Sequence, residues 1–143
     1  MNILGTAIVG AALFKILREI IPSKDFDGIS NERIFTDYLV EETDQEYRTL
    51  KGMMTRRINK IISQGGRFKI GKSGNPDGRF SSYQGYSSMF LLCKSSDMGT
   101  IEVLETYLNN KYYNYPNCDN ERGGSAGLMT NRYQDYYLYL VVE

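Results

Sequence analysis

The paired glycines Gly65 and Gly66 divide this chain more sharply than any other feature, because the hydrophobic period changes across them. Before them, Tyr47, Leu50, Met54, Ile58 and Ile61 recur at the spacing of one helix face, with Arg48, Lys51, Arg56 and Lys60 mostly off that stripe. Thr43 and Glu46 have capping-box spacing at the start of that helix. After the glycines the period shortens. Arg67 to Lys72 reads as a short strand, Gly74 to Gly78 as a turn, and Arg79 to Tyr83 as a short helix or turn. Met89 to Lys94 is apolar enough for a central strand. Ser96 or Asp97 caps a helix carrying Ile101, Leu104 and Leu108, and Asn114 to Leu128 is an Asn- and Gly-rich loop. Asp135 to Glu143 closes as a strand with Tyr137, Tyr139 and Val141 on one face and Tyr136, Leu138, Leu140 and Val142 on the other. Upstream, Pro22 stops a first helix, and Ser30 can cap a short one through about Val40, with Ile34, Tyr38 and Leu39 on one face.

A length of 143 residues is one domain's worth of chain. Net charge is zero, so there is no global attraction to nucleic acid, but the distribution is uneven. Residues 24–46 carry eight acids and two bases, a net of −6; residues 47–79 carry nine bases and one acid, a net of +8. That pattern fits two faces, the second suited to an anionic partner, or two packed helices that neutralise each other. Histidine is absent and the two cysteines, Cys93 and Cys118, lack metal-ligand spacing. Zinc fingers, histidine acid/base chemistry and the Ser-His-Asp triad are thereby excluded. Any catalysis must use carboxylate, tyrosine, lysine, arginine or a hard metal. Cys93, in an apolar run, reads as a core residue, and nothing in the sequence pairs it with Cys118.

Met1 to Phe14 contains no charged residue. Fourteen residues fall short of the roughly 20 that span a bilayer, although the stems of Lys15 and Arg18 can extend the apolar length toward Ile21. Small residues four apart, Thr6 with Gly10 and Ala7 with Ala11, suit close helix contact. Residues 1–21 therefore read either as a membrane anchor or interfacial helix with its C-terminal side cytoplasmic, or as a helix buried against protein. No basic residue precedes the apolar run, which argues against a cleaved signal peptide.

The run Phe68-Lys69-Ile70-Gly71-Lys72-Ser73, followed by Asn75-Pro76 and Arg79, resembles the second signature of GIY-YIG nucleases in the KIG variant common in bacteriophages and large DNA viruses. Ile101 to Leu108 is similar to the helix that bears the family's metal-binding glutamate, with Glu105 the better match and Glu102 the runner-up. Asn117 to Gly127 resembles the segment that follows in viral members. The resemblance implies an α+β fold with a small antiparallel sheet flanked by helices over residues 67–143, preceded by a helical segment over 22–66 and the apolar helix over 1–21. It implies Arg79 as a phosphate clamp, Glu105 as the single carboxylate ligand of Mg²⁺, and Lys69, Gly71, Lys72 and Asn120 near the phosphate, with Asn120 able instead to position its loop. A β-carbon at Gly71 would block close approach of the backbone to a phosphate, or the glycine serves strand-end geometry alone. Arg56 and Lys60 extend the basic surface toward DNA.

Two departures stand out. The window where the family's first strand carries a tyrosine, used in activating the attacking water, is here Thr55 to Ser63, which has no tyrosine and reads as helix. The tyrosine of the second signature is replaced by Lys69. The C-terminal strand offers a substitute: if it takes the place of the missing first strand, Tyr137 or Tyr139 comes near Arg79. The plainer alternative is an added edge strand whose aromatics only pack.

Three functions compete. One is Mg²⁺-dependent hydrolysis of DNA. A second is a catalytically inactive structural protein, such as a minor capsid or membrane-associated component of a large DNA-virus particle, docked through residues 1–21 to membrane or a neighbouring protein. A third is nucleic-acid binding without cleavage. Outside an assembly or membrane, the expected location is cytoplasmic. Hydrolysis expects Arg79, Glu105 and a tyrosine hydroxyl to converge on one open cleft; a covered Glu105 counts against it.

Overall fold

The computed structural model describes residues 31–42, 46–121 and 135–143. The expectations for residues 1–21, Pro22, Ser30 and Thr43, and for the loop beyond Glu121, lie outside them. Five strands form one mixed sheet: β1 (Ile34–Phe35), β2 (Val40–Glu41), β3 (Phe68–Ser73), β4 (Ser88–Ser95) and β5 (Tyr136–Val142). The helices among the described residues are α1 (Tyr47–Ile62), α2 (Pro76–Ser82) and α3 (Met98–Tyr112). The α+β class holds, with one change: β1 and β2 run parallel to β4, while β4–β5 and β5–β3 are antiparallel.

The most consequential finding is where the last strand goes. β5 lies inside the sheet, between β4 and β3, in the order β1-β4-β5-β3, so it is not an edge addition. Its alternation predicts this burial on both sides. Tyr137, Tyr139 and Val141 join Ile34, Phe80, Met89 and Leu91 in one cluster, whereas Leu138 and Leu140 join a larger one with Leu50, Met54, Ile58, Phe68, Ile70, Leu104 and Leu108. The second cluster is roofed by α1 and α3; the first is covered by α2 through Phe80.

α1 follows its apolar stripe: Leu50, Met54, Ile58 and Ile61 are buried and Tyr47 is exposed. Gly65 and Gly66 end it with positive φ, a conformation that costs glycine little. The Tyr112 hydroxyl donates to Asn59 Oδ1 at 2.6 Å and to the Thr55 carbonyl at 3.3 Å, tying α3 to α1. The helix expected through Val40 is a correction. Ile34 and Phe35 instead pair with Met89 and Phe90, and Val40 and Glu41 with Cys93 and Lys94. Ile34 then enters one cluster and Phe35 the other, an alternation that pairing to β4 rewards and that a helix would lose. The described part of the acidic block is therefore sheet edge, not a helix neutralising α1.

The outer edge of β3 is closed by the chain after α3. The Phe68 amide donates to the Asn117 carbonyl and the Asp119 amide to the Phe68 carbonyl. An unpaired strand edge invites association, and this return removes one. Cys93 and Cys118 are both free thiols. Burial pushes the Cys93 thiol up to about 12. Among the described residues no helix is long and apolar enough to cross a membrane.

Candidate functional site

β3 sends its side chains alternately to the two faces of the sheet, and that alternation sorts the candidate residues. Gly71 stands opposite Tyr139 in the ladder. A β-carbon there would overlap the Tyr139 phenol, so the glycine is required by a packed ring. This corrects the expectation of a phosphate at Gly71: the position is buried beneath Tyr139. Lys69, on the same face, places its ammonium 5.6 Å from the Tyr83 ring centroid. Lys72 points the other way.

On the α2 face, Asn75 caps the short helix by accepting from the Gly78 amide at 3.2 Å, with Pro76 in its first turn. That start places Phe80 inward and Arg79 in solvent. Tyr83, just past the helix, shares a hydrogen bond between its hydroxyl and that of Tyr139. Tyr139 is 1% exposed, and burial, then the neighbouring Tyr83, push its ionisation far above the usual phenol range. Arg79 pulls it down and Glu105 raises it further, so both charges act on this hydroxyl. A phenol so held keeps its proton and serves as a hydrogen-bonding group, not as a base. Tyr137, fully buried opposite Ser73, packs in the same cluster without exposure.

On the opposite face, α3 begins at Asp97, whose carboxylate accepts from the Gly99 amide at 3.0 Å. Its inner stripe is Ile101, Leu104, Glu105, Leu108, Asn109 and Tyr112, so Glu105 and not Glu102 faces the sheet. The Glu105 carboxylate lies 3.5 Å from the Lys72 ammonium, with side-chain exposures of 1% and 7%. Lys72 is thus paired inside the protein and does not present itself to a phosphate, a second correction. One turn along the same stripe, Asn109 is fully buried, and among the described residues neither of its amide atoms has a hydrogen-bond partner. Sequence reading missed Asn109, although its position four residues after Glu105 puts it in the same stripe.

Asn120 resolves in favour of loop positioning. Its Oδ1 accepts from the Ile70 amide and its Nδ2 donates to the Ile70 carbonyl, both at 2.8 Å, so it behaves as one more residue of sheet and both ends of its amide are engaged. Arg56 and Lys60 sit on α1, across the sheet from Lys69 and Arg79, and the expected single basic surface is divided between two faces.

The residues do not fit a hydrated Mg²⁺ as they are arranged. Such an ion wants several oxygen ligands and keeps waters. Glu105 is dry and already neutralised by an ammonium, and among the described residues no group of three His, Cys, Asp or Glu side chains can hold a metal. A cleft of about 380 Å³ does open on this side of the molecule, but Glu42, Tyr47, Leu50, Asp97 and Val103 line it, away from Lys72. No protein-family model, curated protein or solved structure matches the chain.

Proposed function

We propose that the chain reuses a GIY-YIG-like scaffold without hydrolysing DNA, as a structural component of a larger assembly such as a virus particle. The observation that carries this reading is the burial of Glu105 against Lys72 at 3.5 Å. A hydrolase needs a carboxylate that can reach water, an ion and the phosphate together. Here the carboxylate lies on the helix-roofed face, while Arg79 and Tyr139 belong to the other. Lys72 opposes any competing cation both by its charge and by filling the space. In this reading residues 1–21 supply docking to a membrane or to a neighbouring protein. The test is a plasmid-nicking assay on the full chain with Mg²⁺ or Mn²⁺, where no nicked product is expected. Nicking that Glu105→Gln abolishes overturns the proposal. Co-sedimentation with vesicles or assembled particles, lost on deleting residues 1–14, supports the structural role.

A second reading, Mg²⁺-dependent hydrolysis, is favoured by a different observation. β5 occupies the middle of the sheet and holds Tyr139 over Gly71, on the face that also carries α2 and Arg79. This supports a permuted arrangement in which the last strand replaces the missing first one. Catalytic contacts are often loose before substrate binds. Under this reading Lys72 must release Glu105 on binding, and Lys72→Met then alters the metal dependence of nicking.

A further inference from the structure

We infer that the groove between α1 and α3 receives the chain's own apolar segment, Met1 to Phe14, with Lys15 and Arg18 set against the acids on its rim. This goes beyond the scaffold reading, in which the same segment meets a membrane or a neighbour. It names the surface that shelters the segment until then.

Three observations converge. The first is the groove itself. Clefts of about 380 and 430 Å³ share Tyr47, Gly99 and Val103, so they form one trough between the start of α1 and the first three turns of α3. Tyr47 is 39% exposed and Val103 52%, two of the three large apolar side chains left open to solvent among the described residues. Apolar groups gathered in one trough mark a surface that something covers. The trough is also shaped in advance. The Lys51 ammonium lies 5.0 Å from both the Tyr47 and the Tyr107 ring centroids and holds that wall in place. Among the described residues a β-carbon at Gly99 would meet only Asp97 Oδ1, at 3.4 Å, so the floor is open there.

The second is chemical complementarity. Glu42, Asp97 and Glu102 stand around the apolar floor, and among the described residues none of the three is in an ion pair. A helix that suits such a groove is apolar along its length and cationic just beyond it. Met1 to Phe14 carries no charge, and Lys15 and Arg18 follow directly. Thr6 with Gly10 and Ala7 with Ala11 put small residues one turn apart, which lets a helix lie close over Gly99 and Val103, themselves one turn apart. As a helix the fourteen residues extend about 21 Å, against about 15 Å of α3 from Asp97 to Tyr107.

The third is reach. β1 and β2 run parallel to β4, from Ile34 beside Met89 to Glu41 beside Lys94, so the chain climbs from Asn31 and delivers Glu42 to the groove. Those eleven residues cover at most about 36 Å, and the sixteen residues 15–30 can span about 53 Å. The segment therefore reaches the groove of its own chain. A tether of that length gives an effective concentration on the order of 1 mM, which a second copy matches only at millimolar protein. With an intrinsic dissociation constant of about 0.1 mM, the segment is docked in about nine chains of ten.

The experiment uses the full chain with Cys118→Ser, which leaves the buried Cys93 as the one native thiol. Val103→Cys is combined in turn with Ala7→Cys, Ile8→Cys, Val9→Cys, Gly10→Cys and Ala11→Cys, and each pair is oxidised with copper phenanthroline and air at low micromolar protein. The expected product is a looped monomer, faster on a non-reducing gel, whose yield peaks at positions three or four apart. Ser81→Cys on α2 replaces Val103→Cys as the control and gives no loop. A second arm follows trypsin cleavage after Lys15 and Arg18 by intact mass. Val103→Asp, which charges the floor, and Gly99→Leu, which fills it, speed this cleavage about tenfold. Circular dichroism and the urea midpoint establish that each variant is folded. Absence of the looped monomer, an equal yield from the control, or disulfide-linked dimers in place of loops overturns the inference. Cleavage rates unchanged in both groove variants also overturn it. None of these readouts involves nicking, so the scaffold reading stands or falls separately.

Discussion

The two faces of the sheet both rest cations on rings but treat interior charge differently. Lys51 lies on Tyr47 and Tyr107 and Arg57 on Tyr38 on one, Arg33 on Phe80 and Lys69 on Tyr83 on the other. The face roofed by α1 and α3 takes a lysine and a glutamate out of water and sets them against each other among leucines and isoleucines. The face under α2 keeps its interior to phenols and aliphatics and leaves its guanidinium and ammonium groups outside, resting on rings. A buried pair is costly to desolvate and costly to break, so it specifies an arrangement more than it stabilises one. A cation held on a ring at the surface costs little and remains available. The difference separates a locked interior pair from cations that stay at the surface, although one strand, β3, supplies residues to both.

Breaking the locked face has the largest expected effect. Lys72→Met leaves Glu105 buried without its ammonium and lowers stability by about 3–5 kcal/mol in urea unfolding. Adding Glu105→Leu recovers most of that. A loss under 1 kcal/mol for the single variant would mean that water reaches the pair. On the other face, Gly71→Ala forces a β-carbon into the Tyr139 ring and costs about 1–3 kcal/mol. Tyr139→Leu in the same chain relieves part of that cost, and no relief would place the strain elsewhere. Asn109→Leu sharpens the comparison in the opposite direction. Removing a buried amide without partners raises stability by about 1 kcal/mol, whereas a decrease would reveal an internal water or ligand at that amide.

The response to alkali is one that both faces share. Burial raises the Cys93 thiol from 9.0 to about 12, so above pH 9 the unfolded chain releases a proton that the folded chain keeps. Stability is unaffected below that pH and falls as pH rises toward about 12. Tyr112 on one face and Tyr139 on the other, both raised chiefly by burial, add the same sign. Urea midpoints between pH 8 and 11 check this, with Cys93→Ala showing a shallower decline; an unchanged slope would remove the thiol from the account.

Much of the fold was legible because hydrophobic period is a local property. The stripe of α1, the inner residues of α3 and the two-sided alternation of β5 all follow from spacing, and each is buried as that spacing requires. The segment from Ile34 to Glu41 misled for the same reason. Its apolar residues fit a helix face, and only the edge of β4 turns them into two short strands. The candidate site was legible as a list of residues, not as an arrangement. Arg79, Glu105, Lys72 and Tyr139 were all named, yet which of them shares a face, and that Lys72 takes Glu105 out of service, depends on the direction each side chain leaves β3 or α3. Tyr83 and Asn109 carried no distinguishing signal beyond their place in a helix end and a helix stripe.

The amino-acid order by itself determined the elements from α1 onward, the absence of histidine chemistry and the identity of every charged group near β3, since these are properties of residues and their near neighbours. Tertiary structure alone decided that β5 enters the sheet between β4 and β3, that Lys72 and Glu105 meet in a buried interior, and that Arg33 packs on the ring of Phe80. The physical reason is that a strand's side chains point to alternate faces, so a charge's surroundings are set by whatever distant segment packs there, and distant packing has no period to be read along the chain.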